Sequence, residues 1–268
     1  MLAITELRTL LSAQWSTGMI PHIVFSENST DYFPGFDRWG TGSAKARLSG
    51  IKSSGICQLP VHSIALRHIL DRGRENGGAD REAAESFLDE SFDGWLAWHR
   101  WLATVRDPDA TGLIEIHHGR ESGFDNSPRW DGPYARVQPG AVPAFTRRDT
   151  LHVADSSERA DDSECTKYLW LVQQMATIGY DDGDVRSVVD FRVRDVFFSA
   201  IMAASSDVLA SEWISTDTVS GFAPLVSGGE ESLLSAQRTA GRPEPVLDSR
   251  GLPRMDRAGL VGAHRLRK

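Results

Sequence analysis

The chain has 268 residues, 40% hydrophobic and 25% charged, the balance of an ordinary folded domain large enough to bury a core without disulfides. Its 29 Lys and Arg against 37 Asp and Glu leave a net charge of -8, which argues against a dedicated nucleic-acid binder but not against a local basic pocket for an acidic substrate. Two cysteines, Cys57 and Cys165, are too few for a disulfide scaffold or a four-thiolate zinc site. No stretch approaches the ~18 apolar residues of a membrane span. The first residues carry no basic region ahead of an apolar run, so the expected location is the cytoplasm.

Residues 2–15 read as a helix, with Ile4, Leu7, Leu10 and Leu11 at three- and four-residue spacing. Residues 26–55 are rich in Gly, Ser and Thr and read as one long irregular loop. Pro60 opens a second helix with Ile64, Ala65, His68 and Ile69 on its apolar face. Asp80 is expected to cap a third, running to about Arg106 with the stripe Ala84, Phe87, Leu88, Trp95, Trp98, Leu102 and Val105. Asp107-Pro-Asp ends it. Residues 112–160 read as irregular. Helical periodicity returns over 166–178 and 193–210, and short helices are predicted at 216–226 and 233–238. No alternating run is long enough for a sheet strand. From Gly241 the periodicity disappears and arginines sit among Gly, Pro and Ala, so 241–268 reads as a disordered tail outside the domain of residues 1–240. The eight tryptophans read as core packing rather than as sugar platforms. The whole is an all-α chain of helices joined by long loops.

The segment Glu121-Ser-Gly-Phe-Asp-Asn-Ser-Pro-Arg-Trp-Asp131 concentrates three carboxylates, a guanidinium, an amide and an indole in eleven residues. Gly123 and Pro128 restrict the backbone around Asp125. A carboxyl near an indole is partly desolvated, its proton affinity rises, and it can then serve as a general acid. Trp130 and Arg129 are candidates to stack on and hydrogen-bond to a sugar. On spacing alone, the favoured reading is a polar loop capped by Asn126 and Asp131. His117-His118 lacks an obvious third ligand for a metal. Asp181-Asp-Gly-Asp184 reads as a turn rather than a calcium loop. No metal or cofactor is expected.

This segment resembles the signature of the family 63 glycoside hydrolases, inverting glycosidases built as (α/α)6 toroids, and within them the bacterial mannosylglycerate and glucosylglycerate hydrolases. Gly18-Met-Ile-Pro-His, Tyr32-Phe-Pro-Gly35, Ser54-Gly-Ile-Cys-Gln58, Trp98-His-Arg-Trp-Leu102, Tyr168-Leu-Trp-Leu171 and Asp195-Val-Phe-Phe-Ser-Ala-Ile201 follow in the same order. The resemblance implies an incomplete (α/α)6 toroid in a truncated chain. It implies hydrolysis of a small anionic glycoside such as glucosylglycerate, with Asp125 as general acid. Tyr32 and Gln58 match positions lining the sugar subsite, Gly123 matches a backbone position beside it, and Arg159 matches a residue that meets the glycerate carboxylate. No nucleic-acid or membrane partner is implied, and oligomeric state carries no signal.

The chain also departs from that pattern. Arg120 stands where the family has Trp, Leu59 where it has Pro, and Cys165 where it has Tyr. An upstream sugar-binding aromatic cluster and part of a helix near residues 204–213 have no counterpart. The family's base is a Glu in a Tyr-Glu-Pro context, and Glu244-Pro245 lacks the aromatic neighbour. Glu121 and Glu244 are the carboxylates first in line to replace it.

Overall fold

The computed structural model describes residues 2–26, 32–147, 150, 153, 155 and 159–215, the side chains of 213–215 excepted. The predicted helices at 216–226 and 233–238, the tail, Glu244 and the Trp213 side chain lie outside these. The described chain is helical: α1 (Leu2–Ser12), α2 (Phe36–Trp39), α3 (His62–Asn76), α4 (Gly78–Val105), α5 (Asp131–Ala135), α6 (Asp162–Thr177), α7 (Val185–Val188) and α8 (Val196–Ser215). No described helix is long and apolar enough to cross a membrane.

Helices α3 and α4 form the central hairpin, with α1 and α8 packed against both. The hairpin turns at Gly77 and Gly78, whose φ values of 70° and 51° are readily reached only without a Cβ. This turn starts α4, with Gly77 as N-cap and no side-chain cap. Asp80 therefore does not cap the helix. It sits in the first turn and accepts from Asn76 Nδ2 at 2.7 Å. The predicted stripe is the buried face: Ala84, Phe87, Leu88, Trp95, Trp98 and Leu102 are all inside, each large side chain contributing about 1.5–3 kcal/mol. Six tryptophans are buried, and Trp98 stacks on Trp101 with centroids 5.3 Å apart.

Other boundaries differ from the periodicity for local reasons. Helix α6 begins four residues early because Asp161 and Glu164 form a capping box. Helix α8 begins at Val196, because Val193 and Arg194 pair antiparallel with Glu115 and Ile116 as strands β2 (Val193–Arg194) and β1 (Glu115–Ile116). This two-residue pair is too short to leave an alternating pattern. The supposed loop 26–55 contains α2, a 3₁₀ turn at Thr41–Ser43 and Ser53, which bridges back to Val24. It buries Trp39 completely. The described part of residues 112–160, read as irregular, includes β1, 3₁₀ turns at Gly119–Ser122 and Pro128–Trp130, and α5.

Several histidines are sealed in this core. His99 lies between α3, α4 and α8, 2.9 Å from Ser206 Oγ and 3.3 Å from Ser63 Oγ, and burial pushes its ring down to about 3. Burial likewise lowers His62 and His117 to about 4, and His22 and His118 to about 3. In the unfolded chain these rings bind a proton near pH 6.5, so between that value and about 4 the unfolded state holds more protons. Stability is full above pH 6.5 and falls as the pH drops through this window. The urea midpoint is therefore expected to be lower at pH 5 than at pH 7.5; an unchanged midpoint would show that these rings already carry protons in the fold.

Candidate active site

The site is built on the C-terminal end of α4. Arg106 follows the last turn of that helix, its N–H bonded to Leu102 O at 3.1 Å, where the helix dipole favours a cation. Its buried guanidinium grips Glu121 with two parallel bonds, Nη2 to Oε1 at 2.7 Å and Nη1 to Oε2 at 3.0 Å. Glu121 also accepts from the His117 backbone N–H at 2.6 Å, and from the Cys57 N–H and thiol at 3.3 Å each. Burial would raise the Glu121 carboxyl, but the Arg106 charge, the neighbouring His117 and these donors outweigh it and hold the group at about 2. Glu121 is thus a fully buried, permanently charged tie. It does not serve as the base that its place in the motif allowed, because its oxygens are already occupied and no water reaches them.

From this tie the signature loop runs outward. A 3₁₀ turn, Gly119–Ser122, ends at Gly123 in the left-handed region with φ 69°. A Cβ at Gly123 would lie 3.3 Å from Leu59 Cδ1, so the loop carrying Gln58 packs closely against it. Ser122 Oγ donates to Gly119 O at 2.6 Å and accepts from Phe124 N at 3.1 Å, which excludes it as a free nucleophile. Trp130 Nε1 donates to Phe124 O at 2.8 Å and fixes the far end. Between these clamps Asp125 projects with 46% of its side chain exposed. Partial burial raises its proton affinity; Arg120, a backbone N–H and Arg159 oppose this in decreasing order, and the balance stays raised.

Arg120 joins a third loop to the site. Its Nη1 donates to Phe33 O at 3.1 Å, bringing the Tyr32-Phe33-Pro34 turn beside Asp125. Tyr32 is 55% exposed, and Gln58 is also exposed. Phe33 and Leu59 thus bring the segments carrying Tyr32 and Gln58 up to the loop of Gly123 and Asp125, and Arg159 is exposed and within electrostatic reach of Asp125.

Two expected contacts change character. Trp130 is 4% exposed, with its edge toward Phe191, so it forms the floor of the loop rather than an open stacking face. Arg129 lies 4.2 Å over that indole and 3.4 Å from Asp195 Oδ2; it ties the loop to the start of α8 while 36% of its side chain stays exposed. The residues that sequence reasoning missed are Arg106, Tyr134 and Tyr168. Tyr134 Oη accepts from Gly119 N at 2.9 Å, and its ring meets Tyr168 at 4.9 Å. The one signal for Arg106 was a cation at a helix end just before Asp107-Pro. Among the described residues, no three His, Cys, Asp or Glu are grouped to hold a metal. His117 bonds Glu115 at 3.1 Å, while His118 Nδ1 accepts from Arg120 N.

Removing one member of the buried pair leaves the other charge unpaired, at about 3–5 kcal/mol. Glu121→Gln is therefore expected to lower the thermal midpoint strongly, whereas Arg106→Met combined with Glu121→Leu loses less than either single change. A double variant that loses the sum of the two would show that the ion pair is not the unit of stability.

The mannosylglycerate hydrolase MGH1-like glycoside hydrolase domain matches residues 2–213. A glucosylglycerate hydrolase of Mycolicibacterium hassiacum is 41% identical over 85% of this chain and 61% of its own. A mannosylglycerate hydrolase of Thermus thermophilus is 37% identical over 92% of this chain and 62% of its own. Among solved structures, a family 63 mannosylglycerate hydrolase of Thermus thermophilus in complex with Tris and D-glycerate superposes with a TM-score of 0.74 at 33% identity, covering 92% of this chain and 54% of that one. The chain thus spans a little over half to three fifths of the length of these relatives, and its all-α architecture is that of part of the toroid. By its sequence and its fold, the chain belongs to the MGH1-like mannosylglycerate hydrolase family of glycoside hydrolases.

Proposed function

We propose that the patch around Asp125 binds a small anionic glycoside, glucosylglycerate or mannosylglycerate, and that Asp125 is the general acid of its inverting hydrolysis. The observation that carries this reading is the state of Asp125: a half-exposed carboxyl on a rigid loop, with its proton affinity raised by burial. Such a group stays protonated closer to neutral pH and donates its proton to the glycosidic oxygen as the bond to the sugar breaks. Tyr32 and Gln58 line the sugar subsite in this reading. Arg159 pairs with the glycerate carboxylate, a contact for which a guanidinium is suited by its planar fork of donors. The names of the relatives and the D-glycerate held by one of them support the substrate class.

Inversion needs a second carboxylate, ~6.5–9.5 Å from the acid, to activate water on the opposite face of the sugar. Glu121 is already bound to Arg106, and the Tyr-Glu-Pro context of the family's base has no match in these 268 residues. Loss of a positioned base lowers rates by ~10²–10⁴-fold. The chain is therefore proposed to bind its substrate and to turn it over far more slowly than a relative carrying both carboxylates.

Glucose release from glucosylglycerate, measured beside the Mycolicibacterium hassiacum enzyme, tests this. The expected rate is at least about 10²-fold lower, and any residual turnover is abolished by Asp125→Asn. Turnover within tenfold of the relative would show that another carboxylate acts as base. Residual turnover unchanged in Asp125→Asn would remove Asp125 from the mechanism. A chain that binds without any turnover would be a sugar-binding pseudoenzyme. For the aglycone, Arg159→Ala is expected to weaken glucosylglycerate binding by about 1.5–3 kcal/mol and to leave uncharged glucosides unaffected; calorimetry giving equal losses for both would remove Arg159 from the carboxylate contact.

A further inference from the structure

Arg120 is the residue of the patch that the family pattern does not anticipate, and its surroundings give it an unusual electrostatic position. Its side chain is 19% exposed. Nη1 bonds Phe33 O, and the guanidinium carbon lies 5.9 Å from the centre of the Tyr168 ring. Nε is buried and makes no hydrogen bond. It stands 3.9 Å from Asp125 Oδ2, close enough to attract the carboxylate and too far to bond it.

Among the described residues, the buried titratable groups around Arg120 do not balance its charge. His22 and His118 are neutral, their rings lowered to about 3 by burial and next by Arg120 itself. Tyr134 and Tyr168 keep their phenolic protons because burial raises both. Glu121 is bound to Arg106. Two guanidiniums, Arg120 and Arg159, act on the Asp125 carboxyl. When Asp125 is protonated, as a general acid must be, Arg120 loses that counter-charge.

We propose that Arg120 is a second carboxylate-recognition residue of this site, placed so that a bound anionic aglycone competes with Asp125 for the same guanidinium. The proposal rests on the reading of the patch as an anionic-glycoside site. The aglycone carboxylate takes the Nε edge that Asp125 approaches without bonding. Its charge replaces that of Asp125, so Asp125 is free to hold its proton when the charged substrate is in place. A neutral glycoside leaves Arg120 facing Asp125 and keeps the acid less protonated. Selection for charge and readiness of the acid thus share one side chain.

The test is calorimetry on the whole chain with D-glycerate and D-glucose as separate probes, together with a carbon-13 titration of the Asp125 carboxyl. Arg120→Met is expected to weaken D-glycerate more than about tenfold and to leave D-glucose unchanged, with Arg120→Lys recovering part of the loss. Saturating D-glycerate is expected to move the Asp125 midpoint upward in the native chain and not in Arg120→Met, a readout that a packing role would not move. Unchanged D-glycerate affinity in Arg120→Met, or equal loss of both probes, overturns the assignment while the site reading stands. A native chain that binds neither probe overturns the site reading and the assignment with it.

Discussion

The buried pair of Arg106 and Glu121 is the constraint on which the rest of the site depends. Neither charge reaches water, so each is tolerable only while the other is present. Glu121 joins the end of α4 to the His117 backbone and to the loop of Cys57. Two neighbouring segments and one 64 residues away are fixed in one place by the lone pairs of a single carboxylate. The 28-residue α4 gives that anchor a rigid base, because its tryptophan face is locked between α3 and α8.

From that anchor to Asp125 there are only four residues, and each step is fixed by the backbone or by a short side-chain bond. The Gly119–Ser122 turn, the left-handed Gly123 and the Trp130 bond to Phe124 O leave Asp125 little freedom except at its carboxyl. Aromatic and cationic groups then share the load outside the loop: Arg129 lies over Trp130 and reaches Asp195, and Phe124 meets Phe197 edge-on at 5.1 Å. The side chains first suited to a sugar by composition thus hold the loop, and the small or exposed ones, Gly123, Gln58 and Tyr32, are left at the surface. Preorganisation of this kind lets a carboxyl act without reorganising its surroundings.

The sequence was legible where periodicity is long. The stripe from Ala84 to Leu102 is the buried face of α4, and six of the seven tryptophans with described side chains lie in the core, as composition suggested. Boundaries were less legible, since they depend on single residues: the Gly77–Gly78 turn rather than Asp80 starts α4, and the Asp161–Glu164 capping box starts α6. The β1–β2 pair was invisible, because two residues cannot alternate and their pairing spans the signature loop. In the site, Asp125 was reached through the likeness of its whole segment, not through its own chemistry. Arg106 lies fifteen residues from Glu121, and no periodic rule connects the two; the contact exists only once the chain has turned at Asp107-Pro and paired β1. An indole beside a guanidinium reads the same in sequence whether it faces a ligand or a core, and only the structure shows Trp130 buried beneath Arg129.

The Cys57 thiol gives the anchor a property of another kind. Its proton points at a carboxylate that never leaves, and burial followed by that negative charge pushes the thiol well above its ordinary range. The reactive thiolate is thereby suppressed in the folded chain. Cys165 is buried as well, so neither sulfur offers a surface for alkylating reagents. Thiol labelling of this protein consequently counts opening events instead of accessible side chains, and labelling at Cys57 clocks the moments when the loop bearing Gln58 parts from Glu121.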